Sequence, residues 1–140
     1  MANSVLVDSC IWISFFFEND TNHAKAVKLF EYLAKQEYHL VVTRTILLEV
    51  FTVLKRKKLS TFNQIVKDFL NNRLAYIDLT PIEFRAGCLD IFKQNRHLSI
   101  VDSFLVFLAK NKKYKILSFD KHLLRACKKQ GVEVLEVLLG

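Results

Sequence analysis

Five short apolar runs alternate along this chain with segments of helical period, and that alternation constrains the fold more than any other feature of the sequence. The first run, Val5-Leu6-Val7, sets three apolar residues in succession, two of them β-branched, and breaks off at Asp8 and Ser9. Unbroken apolarity suits a strand buried on both faces, as in a parallel sheet with helices on either side. The other candidate strands are Tyr38 to Val42, Leu74 to Leu79, Tyr114 to Leu117 and Val132 to Leu135. Strands separated by helices of these lengths need right-handed crossovers. The expected architecture is therefore α/β, a three-layer α/β/α sandwich with a central parallel sheet of about five strands. At 140 residues with one Pro and no low-complexity stretch, residues 1–140 read as a single domain.

The intervals read as seven helices. Ile11 to Phe17 is short and very apolar, and Asn19-Asp20 breaks it. Thr21 is expected to cap the second helix, in which Ala26, Val27, Phe30, Leu33 and Ala34 recur at helical spacing. The third opens at Thr43 or Thr45 and runs to about Lys57, with Ile46, Val50 and Leu54 on one face and Glu49 at its margin. Thr61-Phe62-Asn63-Gln64 has the spacing of a capping box and opens a fourth through Leu70. Thr80-Pro81-Ile82-Glu83 adds proline at the first helical position and opens a fifth, to about Gln94. The sixth starts at Ser99-Ile100-Val101-Asp102, and its continuation, Phe104 to Ala109, is apolar on every side, so it is expected to lie buried in the core. Asp120 precedes a seventh helix ending near Lys129, where Gly131 suits a left-handed cap.

Several function classes fall away. Cys10, Cys88 and Cys127 are odd in number and widely spaced, which encodes neither a disulfide framework nor a CxxC metal site and fits a reducing cytoplasm. The run Ile11 to Phe17 is too short to span a bilayer and has no basic leader, so a soluble cytoplasmic protein without membrane attachment is expected. With three glycines, at 87, 131 and 140, the chain cannot build GxGxxG or a P-loop. A net charge of +7 favours a polyanionic partner, nucleic acid first.

Four carboxylates then stand out. Asp8 and Asp120 each follow an apolar strand and precede a helix, so both should reach the carboxyl edge of the sheet, where open α/β sheets bind ligands. Each could equally be a helix cap. Asp102, third after Ser99, copies the capping-box spacing of Glu83 after Thr80, and Glu49 could be an ordinary flank of an amphipathic helix. Taken together, a buried acid at Asp102 with three more converging on it calls for a cation. Four oxygen donors without a His or Cys pair select Mg²⁺ or Mn²⁺ over zinc. Magnesium keeps several waters, which supplies a nucleophile while the ion neutralises charge on a phosphate.

Val5-Leu6-Val7-Asp8-Ser9, Glu49 in Leu47-Leu48-Glu49-Val50, Ser99-Ile100-Val101-Asp102-Ser103 and Leu117-Ser118-Phe119-Asp120-Lys121 resemble the four acidic motifs of PIN-domain nucleases. Length and motif order are also similar to the VapC-type toxins of toxin-antitoxin pairs, over essentially the whole chain. The resemblance implies a Mg²⁺- or Mn²⁺-dependent endoribonuclease, with Asp8, Glu49, Asp102 and Asp120 as catalytic metal ligands and Ser9 and Ser118 as supporting hydroxyls. It also implies products with 5′-phosphate and 3′-hydroxyl ends, a homodimer, and a small antitoxin that covers the acidic groove. Apolar residues of the first two helices are candidates for the dimer contact. Where many members carry a further acid and an aromatic after the fourth acidic position, this chain has His122 and Leu123.

The acids repel RNA, so binding is expected from Lys55, Arg56, Lys57, Lys58, Lys112 and Lys113, although such runs are commonly solvated helix ends. His122 reads as solvent-facing, Cys10 as a small buried hydrophobe, and Trp12 with Phe15 to Phe17 as core or a subunit contact rather than stacking platforms for bases. The alternatives are an RNA-processing enzyme outside a toxin-antitoxin pair and a non-cleaving RNA- or protein-binding module. An aspartyl-phosphate receiver or phosphatase is a third, and it lacks a clear acidic pair after the first strand.

Overall fold

The first strand, β1 (Ser4–Val7), is buried along its length, and Val5, Leu6 and Val7 are each 0% exposed. Successive side chains of a strand point to opposite faces, so both faces of the sheet must be covered. The computed structural model describes residues 3–71, 75–77, 79–91 and 98–137. Its other strands are β2 (His39–Thr43), β3 (Ala75–Ile77) and β4 (Lys115–Leu117). Its helices are α1 (Ser9–Phe16), α2 (His23–Lys35), α3 (Arg44–Arg56), α4 (Phe62–Asn71), α5 (Pro81–Ile91), α6 (Ile100–Lys112) and α7 (Lys121–Lys129). The expected strand start at Leu74 and helix end near Gln94 lie outside the described residues.

The strands pair in parallel, in the order β3-β2-β1-β4. The chain steps outward from β1 to β3 and then returns to lay β4 on the other flank of β1. This reversal opens a crevice at the carboxyl ends of β1 and β4. Among the described residues the expected last strand reduces to one parallel bridge, Val134 to Ile116. The chain reaches it straight from the turn at Gly131 (φ +76°), with the Val132 N–H tied back to the Cys127 carbonyl at 2.8 Å, and two backbone bonds flank the bridge, from the Ile116 N–H to the Glu133 carbonyl at 3.0 Å and from the Leu135 N–H to the Ile116 carbonyl at 2.9 Å.

α1 packs on α2 and α3, and α3 on α4, while α6 packs on α5 and α7. Aromatic rings bind the first group together. The Trp12 ring lies 4.7 Å from that of Phe30 and 5.0 Å from that of Phe69, and Phe16 meets Phe69 at 5.4 Å between centroids. The apolar residues of α1 and α2 are thus largely engaged inside the chain, and among the described residues the large exposed ones lie elsewhere: Leu48 on α3, Leu70 on α4, Ile82, Phe84 and Leu89 on α5, and Ile100 on α6.

Local signals place most helix starts. Thr43 Oγ1 accepts from the Ile46 N–H at 3.0 Å, Ser99 Oγ accepts from the Asp102 N–H at 3.1 Å, and the Thr80–Glu83 box closes in both directions at 3.2 and 3.1 Å. Two starts differ from expectation. α1 begins at Ser9 rather than Ile11, because Asp8 caps it. α2 begins at His23 after Asn22 rather than after Thr21, because Asp20 Oδ1 takes the Asn22 N–H at 2.8 Å and the Ser14 hydroxyl at 3.1 Å, extending the turn. α4 opens at Phe62 after Thr61 as expected, and there Gln64 donates forward to Asp68 at 2.8 Å.

α6 is not buried on every side. Leu105, Val106, Leu108 and Ala109 are buried, whereas Ile100 is exposed and Val101, Phe104 and Phe107 are half-buried. The reason is the neighbour: α5 meets α6 at Gly87, where an added Cβ would stand 2.7 Å from Phe104 Cε1 and 3.2 Å from Phe107 Cδ1. Close approach there leaves an open groove of about 390 Å³ alongside, walled by Thr43, Arg44, Phe84, Val101 and Phe104. A bulky side chain at position 87 must displace Phe104 from its stack on Phe84, whose centroid lies 5.4 Å away. Gly87→Leu is expected to cost about 1–3 kcal/mol in a denaturant melt. Among the described residues no helix is long and apolar enough to cross a membrane.

Candidate active site

β1 and β4 deliver their following residues to the crevice between them. Asp8 caps α1 and is 7% exposed. Its Oδ1 accepts from the Ser9 N–H at 2.8 Å, and its Oδ2 accepts from the Ser118 hydroxyl at 2.7 Å and from the Cys10 thiol at 3.6 Å. Asp120 caps α7, with Oδ1 accepting from the His122 N–H at 2.9 Å and the Leu123 N–H at 3.4 Å. Both residues are therefore true helix caps, and the fold brings both caps to the same edge.

The other two acids arrive on helices. Glu49, half-buried in the second turn of α3, accepts from the Ser9 hydroxyl at 2.8 Å through Oε2. Asp102 sits in the first turn of α6. Its carboxyl is pushed up to about 6, first by burial, then by the negative charges of Asp8 and Asp120, with Glu49 adding less and the Ser99 hydroxyl opposing. The four acids thus share one electrostatic neighbourhood, although they come from four separate stretches of sequence. Ser9 and Ser118, the two hydroxyls singled out in the sequence, bond directly to two of the four acids.

Among the described residues no three His, Cys, Asp or Glu side chains are gathered as a finished metal centre. Like charges explain the spread, because ionised carboxylates stay apart and turn to protein donors unless a cation intervenes. The donor set is all hard oxygen, and the negative charges of Asp8 and Asp120 add to burial in raising the Asp102 carboxyl. This chemistry fits Mg²⁺ or Mn²⁺.

Cys10 departs from its reading as a buried hydrophobe. It is half-buried, and its sulfur also accepts from the Phe119 N–H at 3.4 Å and lies 3.5 Å from Ser118 Oγ. Burial, with the charge of Asp8, pushes its thiol up to about 11, so it is not a thiolate nucleophile at neutral pH. Its neighbours in space are 108 and 109 residues away in the chain, and nothing in its local sequence signals the contact. Nor does the sequence signal a second groove, of about 410 Å³, beside Ser9 and Glu49, walled by Ile13, Leu48, Val53 and Val101.

The basic candidates lie apart from the acids. Lys55 and Arg56 end α3, with Lys57 as its cap and Lys58 just beyond, and at about 1.5 Å per residue Lys55 and Arg56 fall roughly 9–11 Å along the axis beyond Glu49. Lys57 Nζ sits 4.1 Å above the Phe17 ring, and Lys112 pairs with Glu83 at 3.1 Å. Lys55, Arg56, Lys58 and Lys113 are exposed, as is His122.

The family model described as the PIN domain matches residues 5–129. A comparison with curated proteins gives no match. Among solved structures, the chain is similar to VapC20 of Mycobacterium tuberculosis, described as a sarcin-ricin loop cleaving toxin, with a TM-score of 0.72 and 17% identity over 87% of this chain and 94% of that one. VapBC2 of Rickettsia felis, bound to a DNA fragment from its promoter, aligns with a TM-score of 0.66 and 15% identity over 95% and 97% of the two chains. FitAcB of Neisseria gonorrhoeae aligns at 0.64 and 11% identity, over 94% and 96%.

Proposed function

The chain belongs to the PIN-domain family of nucleases, and on that premise we propose that it is a Mg²⁺- or Mn²⁺-dependent endoribonuclease, the toxin of a toxin-antitoxin pair. The observation that carries the reading is the convergence of four acids at the carboxyl edge of the sheet: Asp8 and Asp120 capping α1 and α7, Glu49 bonded to Ser9 beside Asp8, and Asp102 in the first turn of α6, close enough to the other three to be raised by their charge. Asp8, Glu49, Asp102 and Asp120 would hold the cation. Bound there, it would offset charge on the scissile phosphate and lower the pKa of water. The chain's own part is to aim the donors. Ser118 and the Ser9 N–H fix the two oxygens of Asp8, the Ser9 hydroxyl turns Glu49 inward, and the first turn of α7 fixes Asp120.

The wider assignment rests on several supports. RNA as the substrate is supported by the resemblance and by the net charge of +7. VapC20, the neighbour of similar fold, is described as a cleaving toxin. An antitoxin segment would suit the apolar-walled groove beside Glu49, and a second copy of the chain would suit the exposed α5 residues Ile82 and Leu89. The test is cleavage of a structured RNA by the purified protein. Cutting with Mg²⁺ that stops on chelation, leaving 5′-phosphate ends, is the expected result. Binding without cutting under every divalent ion would favour the non-cleaving module.

The basic surface gives a separable prediction. Lys55, Arg56, Lys57 and Lys58 are assigned to RNA binding together with Lys112 and Lys113. Neutralising Lys55 to Lys58 should weaken RNA binding and reduce the slope of log K against log salt by about 0.7 for each single-strand phosphate that the protein no longer neutralises. Metal affinity should stay unchanged. An unaltered slope would make that run a solvated helix end.

A further inference from the structure

We propose that Cys10 is a positioning residue for the acid cluster: its sulfur clasps the β4–α7 turn to the first turn of α1 and steadies Asp8 between them. The inference deepens the nuclease reading and rests on it for its activity arm alone.

Two hydrogen bonds and one close polar contact converge on this one atom. The thiol donates to Asp8 Oδ2 at 3.6 Å, the sulfur accepts from the Phe119 N–H at 3.4 Å, and it lies within hydrogen-bond range of Ser118 Oγ at 3.5 Å. Ser118 in turn donates to the same Asp8 Oδ2 and accepts from the Asp120 N–H at 3.0 Å. Cys10, Ser118, Asp8 and the backbone of Phe119 and Asp120 therefore form one closed network across the switch point. Within it Ser118 holds the Asp120 backbone and Cys10 holds the residue before it. The spacing of Asp8 from Asp120 is set by both, and groups that orient metal-ligating side chains commonly change metal affinity by about 10- to 100-fold when removed.

Sulfur suits the position. A C–S bond is longer than C–O and its lone pairs are diffuse, so one atom spans contacts of 3.4 to 3.6 Å to three partners that a hydroxyl would reach less evenly. Cys10→Ala removes all three, whereas Cys10→Ser keeps a donor and an acceptor.

The experiment compares wild type, Cys10→Ala and Cys10→Ser in three readouts: Mn²⁺ affinity from the paramagnetic resonance of free Mn²⁺, amide exchange at Phe119 and Asp120 in metal-free protein, and single-turnover RNA cleavage. For Cys10→Ala the expected result is Mn²⁺ affinity about tenfold lower, faster exchange at Phe119 and a lower cleavage rate at unchanged KM. Cys10→Ser should recover part of each, since it keeps a donor and an acceptor on a shorter bond. Wild-type affinity and exchange in Cys10→Ala would overturn the proposal. So would equal losses in both variants that follow only their melting temperatures, since that pattern marks a packing role. If wild type binds Mn²⁺ yet cuts no RNA, the nuclease reading fails while the affinity and exchange arms still decide the role of Cys10.

Discussion

Asp8→Asn is expected to lower single-turnover RNA cleavage by at least about 10³-fold, with a melting temperature close to that of wild type. Loss of one carboxylate ligand removes several kcal/mol of charge stabilisation, and each 1.36 kcal/mol is about tenfold in rate. The fold should survive because Asn keeps the cap: its side-chain oxygen can still accept from the Ser9 N–H, as Asp8 Oδ1 does at 2.8 Å, and Asn serves as well as Asp at that position. The Ser118 hydroxyl, which donates to Asp8 Oδ2 at 2.7 Å, can rotate to accept from the new amide instead. Cleavage and a circular-dichroism melt on the same preparation check both halves. Cleavage within tenfold of wild type would remove Asp8 from the catalytic set.

Asp102→Asn should also abolish cleavage, but it should raise the stability of the metal-free protein. The Asp102 carboxyl is lifted from 3.8 to about 6 by burial and by Asp8 and Asp120. The folded state therefore holds the proton more tightly than the unfolded chain. Wild-type stability should fall as pH rises from about 4 through about 6, and the penalty remains in full above that. A shift of this size corresponds to about 3 kcal/mol, and partial exposure of the group reduces it to about 1–2 kcal/mol. Asn carries no such penalty, so the variant should be the more stable protein at pH 7.5 and the difference should vanish near pH 4. Adding Mg²⁺ should reverse the order at pH 7.5 by stabilising wild type alone. A variant less stable than wild type at pH 7.5 without metal would show that the acids do not repel one another in the fold.

Strand and helix order were legible because the buried strands are unbroken apolar runs and the helix starts carry their own donors and acceptors. Val5 to Val7, Thr43 and the Thr80–Glu83 box needed no knowledge of the rest of the chain. What could not be read depended on neighbours distant in sequence. The open side of α6 arises from the approach of Gly87, and Asp20 moved the start of α2 by holding the Asn22 N–H in the turn before it. At the site, the four acids and two serines were visible as residue types placed after strands or at helix starts. The part of Cys10 was not, since its partners Ser118 and Phe119 reach it only through the pairing of β1 with β4. The basic clusters were visible as runs, but only the helices show that they sit beyond Glu49 and Asp102 rather than beside them.

The most direct measurement is an anomalous-scattering map from a crystal of the wild-type protein grown with Mn²⁺. A peak bounded by the carboxylates of Asp8, Asp102 and Asp120, with Glu49 facing it, is the result expected of a site built to hold a cation at the carboxyl edge of the sheet. An empty edge in a crystal whose protein still cleaves RNA with Mn²⁺, or a peak held by other residues, would contradict the assignment.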